Sequence, residues 1–159
     1  MQAEADAKEA ALALIASLHV CSLATGADGR PHAASLMYAH EGFRLFWFSD
    51  PATEHSRHID AAPSARAAVT IAADHQDFAT IRGVQMVGVA RRVTNPREMT
   101  AALALLTGRY GFLARARGGP ERLAEALRKA AIYRFTPDRI TLIDNTKGFG
   151  HKITFDPGG

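Results

Sequence analysis

The run Leu45-Phe46-Trp47-Phe48 stands between Arg44 and Ser49. Successive side chains of a strand point to opposite faces, so four consecutive large apolar groups place hydrophobic surface on both sides of the sheet. A strand of this kind must be covered twice. The home core supplies one cover. An uncovered Trp47, or an uncovered Phe46/Phe48 pair, would form an apolar patch of the kind monomers avoid. With few flanking helices to act as the second cover, the run predicts a homodimer.

Around this strand, periodicity and punctuation predict a mainly β fold. Ala5–Leu18 carries Leu12 and Ile15 at helical spacing and reads as an opening helix. Val20–Thr25 and Ala33–Ala39 read as strands about a turn at Gly26-Ala27-Asp28-Gly29, and Glu41-Gly42 turns the chain into Arg44–Ser49. Asp50–Ala61 predicts a short helix capped by Asp50 or Thr53. Ala65–Ala72 and Ile81–Val93 follow as strands, with Gly83 and Gly88 marking a bulge or bend in the second. Asn95-Pro96-Arg97-Glu98 is a helix start, and Met99, Leu103, Leu106 and Tyr110 give that helix its apolar side. Gly119-Pro120 opens another helix, with Leu123, Ala126 and Leu127 inward. Tyr133–Phe135 and Ile140–Ile143 read as strands about a turn at Thr136-Pro137-Asp138, and Lys152–Phe155 as a final strand. Hairpin-length links favour antiparallel pairing in a small barrel or sandwich. No repeat or linker divides the chain, which predicts one domain over 1–159: an N-terminal helix at about 5–18, a barrel at about 19–93 and 131–155, and a helical insertion at about 96–130.

Charge is unevenly spread. Residues 1–81 hold five basic against ten acidic side chains, and residues 82–159 hold fourteen against six. A nucleic-acid face would need a base-stacking motif or a recognition helix, and neither stands out, so nucleic acid is not an expected partner. Glu4, Asp6, Lys8 and Glu9 occupy the opening ten residues, where a secretory signal needs a basic and then an apolar run. The apolar stretches fall far short of the roughly 20 residues that span a bilayer. A single cysteine, Cys21, cannot form an internal disulfide and suits a reducing compartment. The expected location is the cytoplasm, with no membrane contact, and Cys21 reads as a small buried hydrophobe.

The densest polar cluster is Thr53-Glu54-His55-Ser56-Arg57-His58. Placed where an apolar strand runs into a helix, Thr53 and Ser56 offer hydroxyl donors, and His55 and Arg57 offer charge to an anion. The competing reading is a capped surface helix. His55 and His58 also fall three apart on one helix face, but a metal needs a third ligand. Asp74, His75 and Asp77 supply no recognised spacing, so no metal site is assigned. His19, His32, His40 and His151 read as strand-end or surface residues. Arg82 and Gln85 fall on opposite faces of their strand unless Gly83 shifts the phase. In Asp144–Lys152, Gly148 and Gly150 flank Phe149, which lets backbone approach a ring system and makes Lys147 and Phe149 ligand-edge candidates.

The order of these motifs resembles the pyridoxamine 5'-phosphate oxidase-like superfamily of FMN-binding split barrels. The likeness runs through Val20–Thr25, Gly29–Leu36, Leu45–Ser49 with Thr53–Ile59, Ala65–Ile71 and Val84–Arg91, covering about residues 12–155. The closing Asp144-Asn145-Thr146 with Gly148–Lys152 is similar to a short bacterial branch of that superfamily. The resemblance implies a six-stranded antiparallel split β-barrel (Greek key) with flanking α-helices, dimerised with FMN in clefts at the interface. It further implies that Ala34, Ser35, Leu36 and Met37 line the isoalloxazine. Phe48, Ser49, Thr53, His55 and Arg57 would hold the phosphate, and Arg82, Gln85, Lys147 and Phe149 would reach the ring edge. Two departures matter. Authentic pyridoxamine phosphate oxidases open the helix with an Arg-Lys pair where this chain has Glu54 and His55, and they carry an Arg where it has Ala34. Their C-terminal substrate-binding motif is also missing, so vitamin B6 oxidation is not expected. The implied function is a flavin-dependent oxidoreductase of unknown substrate; the alternative is a non-catalytic flavin- or haem-binding sensory module.

Overall fold

Asp28 and Gly29 adopt left-handed backbone, at φ 52° and 74°. Two consecutive residues of this kind make the tight turn whose twist matches paired strands. They join β1 (Val20–Ala27) to β2 (Arg30–Met37) in full antiparallel register, from Val20 opposite Met37 to Ala27 opposite Arg30. The computed structural model of the protein describes residues 1–115 and 121–158. After helix α1 (Gln2–Ser17) and this hairpin come β3 (Ala39–Glu41), β4 (Arg44–Ser49), α2 (Glu54–Asp60), β5 (Ala65–Ala72) and β6 (Arg82–Arg92). The chain continues through α3 (Pro96–Arg109), α4 (Gly111–Arg115), α5 (Glu121–Lys129), β7 (Ala131–Asp144) and β8 (Lys152–Phe155). Gly119-Pro120, expected to open the last helix, lies outside the described residues.

One antiparallel sheet runs β2-β1-β5-β6-β7-β4-β3, with β8 added to β7. Strands β2 and β3 lie at its two edges, yet Tyr38 alone separates them in sequence. The chain therefore passes from one edge to the other and curls the sheet into a split barrel. Among the described residues eight strands are formed, where the family resemblance implies six and the sequence pattern marks eight segments. The short β3 is an addition to those segments, and the two expected around Thr136-Pro137-Asp138 prove to be one strand, β7. The reason is a bulge. Val87 pairs with Arg139 but Gly88 pairs with Pro137, so Asp138 is the inserted residue and the strand bends without turning back.

The barrel interior is filled by Leu23, Val69, Met86, Tyr133, Phe135 and Ile140 with Leu45 and Trp47, and α1 closes it with Ala7, Ala11 and Ile15. Phe46 belongs to a second cluster on the other face of β4, with Ala39, Val93 and Ile132 beneath Ala102, Leu106 and Tyr110. Phe48 and Leu113 pack on its margin. The second cover of the apolar strand is thus the chain's own helical insertion. Burying a side chain such as Phe46, which is 3% exposed, stabilises by about 1.5–3 kcal/mol. The two-sided strand consequently does not require a partner chain. α3 also turns further than its sequence suggested. Ala102, Leu106 and Tyr110 face inward, whereas Met99 and Leu103 are exposed. Its start is as expected: Asn95 accepts from the backbone N–H groups of Arg97 and Glu98, with Pro96 in the first turn. The Glu98 carboxylate does not fold back on the cap but pairs with Arg134.

Gly88 is required where it stands. A Cβ there would lie 2.1 Å from the Thr136 carbonyl oxygen and 2.6 Å from Pro137 Cα, and both are backbone atoms that cannot swing aside. Gly88→Ala is expected to destabilise the protein by about 1–3 kcal/mol or more, the cost of forcing atoms into a packed interior. A urea titration should show a lowered midpoint at unchanged slope; an unchanged midpoint would mean that the β6–β7 bulge is free to shift.

Candidate functional site

Strand alternation delivers Leu45 and Trp47 to the inner face of β4 and then Ser49, its last residue, to the same side. The chain rises through Asp50-Pro51-Ala52 into α2, which packs back over β1, β2, β5 and β6. Asp50 stabilises this climb by accepting from the Ala52 N–H at 2.8 Å. Thr53 occupies the N-cap position but makes no side-chain cap; its hydroxyl donates to the Asp50 carbonyl oxygen at 2.8 Å. The expected helix is correspondingly shorter, Glu54–Asp60. Ile59 anchors it in the barrel core, and Ser56 and His55 are buried with it.

Four polar side chains converge at this junction. Ser49 Oγ lies 2.6 Å from His55 Nε2, 3.1 Å from Ser56 Oγ and 3.2 Å from Thr53 Oγ1. Thr53 Oγ1 is 2.8 Å from Ser56 Oγ and 3.2 Å from His55 Nε2. Burial, and then the neighbouring imidazoles of His32 and His58, lower the pKa of His55 below the ordinary histidine value. The cluster is therefore hydroxyls plus a neutral imidazole. Around it stands an outer ring of titratable groups. The His32 ring stacks on His55 with centroids 5.9 Å apart and meets His58 edge-on at 6.2 Å. Glu54 reaches toward both, 3.5 Å from His32 Nδ1 and 3.8 Å from His58 Nε2, and Thr25 Oγ1 lies 3.0 Å from His58 Nδ1.

Of the residues proposed for phosphate binding, Ser49, Thr53 and His55 meet here. Arg57 is on the exposed side of α2 and forms no ion pair among the described residues. Phe48 faces away, toward the α3 cluster. On β2, Ala34 and Leu36 are half-buried, whereas Ser35 and Met37 are exposed. Gln85 is exposed on β6 with Arg82 at opposite parity, so Gly83 does not shift the phase. Arg82 lies beside the buried carboxylate of Asp144, with Nε 3.4 Å from Oδ2. Burial would raise the Asp144 pKa, but the Thr146 hydroxyl and Arg82 outweigh it and hold the carboxyl below its usual range. Lys147 sits in the 3₁₀ turn Asn145–Lys147 that follows, and Phe149 is 84% exposed beyond it. The register places Arg82 beyond the Ala72 end of β5, while the Thr25–His32 pair lies at the opposite end of the strands. One chain therefore presents two separate groups. Cys21 is buried, and desolvation pushes its thiol up to about 12, as suits a core residue. Among the described residues, no three His, Cys, Asp or Glu side chains are arranged to hold a metal, and no helix is long and apolar enough to cross a membrane.

The sequence profile of the pyridoxamine 5'-phosphate oxidase family matches residues 7–143. The chain belongs to that family. As a member it is 28% identical, over 87% of its own length and 89% of the relative's, to a UPF0306 protein of Enterobacter sp. (strain 638). Its fold is similar to that of a heme binding protein from Mycobacterium smegmatis, with a TM-score of 0.71 at 22% identity. That match covers 95% of this chain but 58% of the other. A FAD-binding protein from Mesorhizobium loti superposes with a TM-score of 0.62 at 18% identity, over 83% of this chain and 90% of the other. The donor set at the β4–α2 junction consists of hydroxyls and imidazole nitrogens, groups that hydrogen-bond to ligand oxygens.

His32 escaped the sequence reading because its relevance is a matter of register. It stands opposite Thr25 on the hairpin, which brings it under α2, and no local motif announces that placement. His55 also makes stability depend on pH. Because its folded value lies below the unfolded one, the unfolded chain binds the proton more readily, and stability rises with pH. The contribution is complete above the ordinary imidazole value of about 6.5 and is lost as pH falls through the folded value. Urea midpoints measured from pH 8 down to 5 should fall on the acid side, and His55→Gln should flatten that fall. An unchanged slope in the variant would assign the acid sensitivity elsewhere.

Proposed function

We propose that the protein binds FMN and works in the cytoplasm as a flavin-dependent oxidoreductase. The observation that carries this reading is the meeting of Ser49, Thr53 and His55 where β4 enters α2, in a chain of this family. Bound flavin supplies hydride acceptance at its N5, so no acid–base triad is demanded of the protein. The chain's own residues bind and orient. Ser49, Thr53 and His55 offer hydrogen bonds to the phosphate and ribityl oxygens, and the backbone of Ala34–Met37 offers a floor for the ring. Flavin titration tests this directly: added FMN should lose fluorescence with micromolar affinity. Ser49→Ala and Thr53→Val should each weaken FMN about two- to tenfold, the worth of a neutral hydrogen bond. Failure of FMN, FAD and riboflavin to bind would defeat the proposal. Uptake of haem in their place would favour the sensory reading, for which the neighbour named as a heme binding protein is a reason to include haem in the assay.

The same proposal includes a homodimer, for a reason different from the apolar strand. Strand register aligns Ser35, Ser22, Thr70, Gln85, Thr141 and Thr154 in a single row across the sheet's outer face. Ala33, Ala24, Ala68 and Val87 form the row beside it. The second row ends at Arg139, opposite Val87, and the mostly small, uncharged side chains before it suit close packing against a two-fold copy of the face. Such packing offers a route by which Arg82, Lys147 and Phe149 of one chain approach the junction site of the other. Sedimentation at micromolar protein should give about twice the 17.1 kDa chain mass. Thr70→Arg, at an exposed position, should give a folded monomer with weakened flavin binding. A wild-type monomer that binds FMN tightly would remove the shared site.

A further inference from the structure

The outer ring of titratable groups at the β4–α2 junction has a chemistry of its own. His32 comes from β2, His55 and His58 from α2, and the three rings lie within 6.2 Å of one another by centroid as measured from His32. Glu54 stands between two of them and is half exposed. On the adjoining elements most fixed positive charge is paired or turned away, and Arg30, two residues before His32 on β2, is exposed. From β6, Arg92 is engaged by Asp60 and by the Tyr133 hydroxyl of β7. On β5, Arg66 pairs with Asp138. β1 presents the uncharged Thr25 hydroxyl, and Asp50, after β4, caps Ala52. On α2 itself, Arg57 is exposed on the side away from the buried Ser49–His55 contact. Within the cluster itself, the groups that can gain positive charge are the imidazoles, by taking up protons.

We propose that the His32–His55–His58 cluster, balanced by Glu54, makes binding of a phosphate-bearing flavin proton-dependent, capturing it in mildly acidic and releasing it in alkaline conditions. The inference rests on the flavin reading and adds its regulation. With neutral imidazoles, a phosphate faces hydroxyl donors and the Glu54 carboxylate. Each proton gained by the cluster replaces that repulsion with a charge-assisted hydrogen bond. Binding and proton uptake are then linked. One linked proton changes affinity by at most about tenfold per pH unit. The ligand's own second phosphate ionisation, near pH 6, works the other way, since it adds negative charge as pH rises.

Calorimetric titration with FMN and with riboflavin, which lacks the phosphate, separates these effects. Between pH 6.5 and 7.5 the FMN-to-riboflavin affinity ratio should fall by about threefold or more, within the limit set by one linked proton. FMN, but not riboflavin, should show binding heats that vary with the ionisation enthalpy of the buffer. His32→Gln and His58→Gln should flatten the ratio, and Glu54→Gln should raise FMN affinity over riboflavin at pH 7.5. Thermal melts of each variant establish that the fold is retained. Both flavins binding with a ratio that is constant or rises with pH, and no buffer-dependent heat, would overturn the proton linkage while leaving the flavin reading intact. If neither flavin binds at any pH, the flavin reading fails and the linkage with it.

Discussion

Arg109 ties the helical insertion to the closure of the barrel. From the last turn of α3 its guanidinium donates to the carbonyl oxygens of Ile15, Ala16 and Leu18, groups that the end of α1 leaves without helical partners. The same cation stands over the Tyr38 ring, 5.3 Å from its centroid, and 6.0 Å from that of Tyr110. Tyr38 in turn donates from its hydroxyl to Ile15 O at 2.7 Å, and its own carbonyl accepts from the Tyr110 hydroxyl. Tyr38 is the residue at which the chain crosses from one sheet edge to the other. One half-buried cation therefore satisfies a helix end, fixes the crossover and holds α3 against β4. Bonds from a charged donor are roughly twice as strong as neutral ones, which suits a contact on which three elements depend.

This arrangement explains why the apolar run of β4 serves the reading of fold but carries no argument about assembly. The alternation rule says that Leu45-Phe46-Trp47-Phe48 needs two covers, and two covers exist. It cannot say which segment provides the second one. The answer depended on α3 being clamped across the strand by a residue distant in sequence, with Ala102, Leu106 and Tyr110 turned inward and Met99 and Leu103 left outside. Helix periodicity alone admits either set, since both repeat at nearly the same spacing. The strands themselves were legible because Gly, Pro and Asn-Pro punctuation brackets them. The exception was Thr136-Pro137-Asp138, which has turn composition but forms a bulge that depends on Gly88 across the ladder.

The candidate site divides in the same way. Ser49, Thr53 and His55 are local to one strand–helix junction, so a motif could single them out, and the folded chain brings them together. Their charge state could not be read locally. It follows from burial of His55 and from two imidazoles, one of them placed by hairpin register. Glu54 looks like a loss when set against the Arg-Lys pair of the authentic oxidases. In the folded chain its carboxylate lies beside the rings of His32 and His58, which gives the substitution a physical setting that composition does not convey.

The sheet order also has a consequence for how this chain comes into being. β4 pairs with β7, so Leu45 waits for Phe135 and Trp47 for Tyr133, with β5, β6 and the whole insertion synthesised in between. At on the order of 5–20 residues per second, several seconds pass on the ribosome before the strand's partner exists. Throughout that interval this strongly apolar strand has only the short β3 beside it and lacks both its β7 ladder and its helical cover. Closure is necessarily a late event, since the neighbours that shield β4 are the last large pieces to emerge. For a nascent chain of this topology, the β1–β2 pairing needs only neighbouring residues, whereas the hazardous period belongs to Arg44–Ser49.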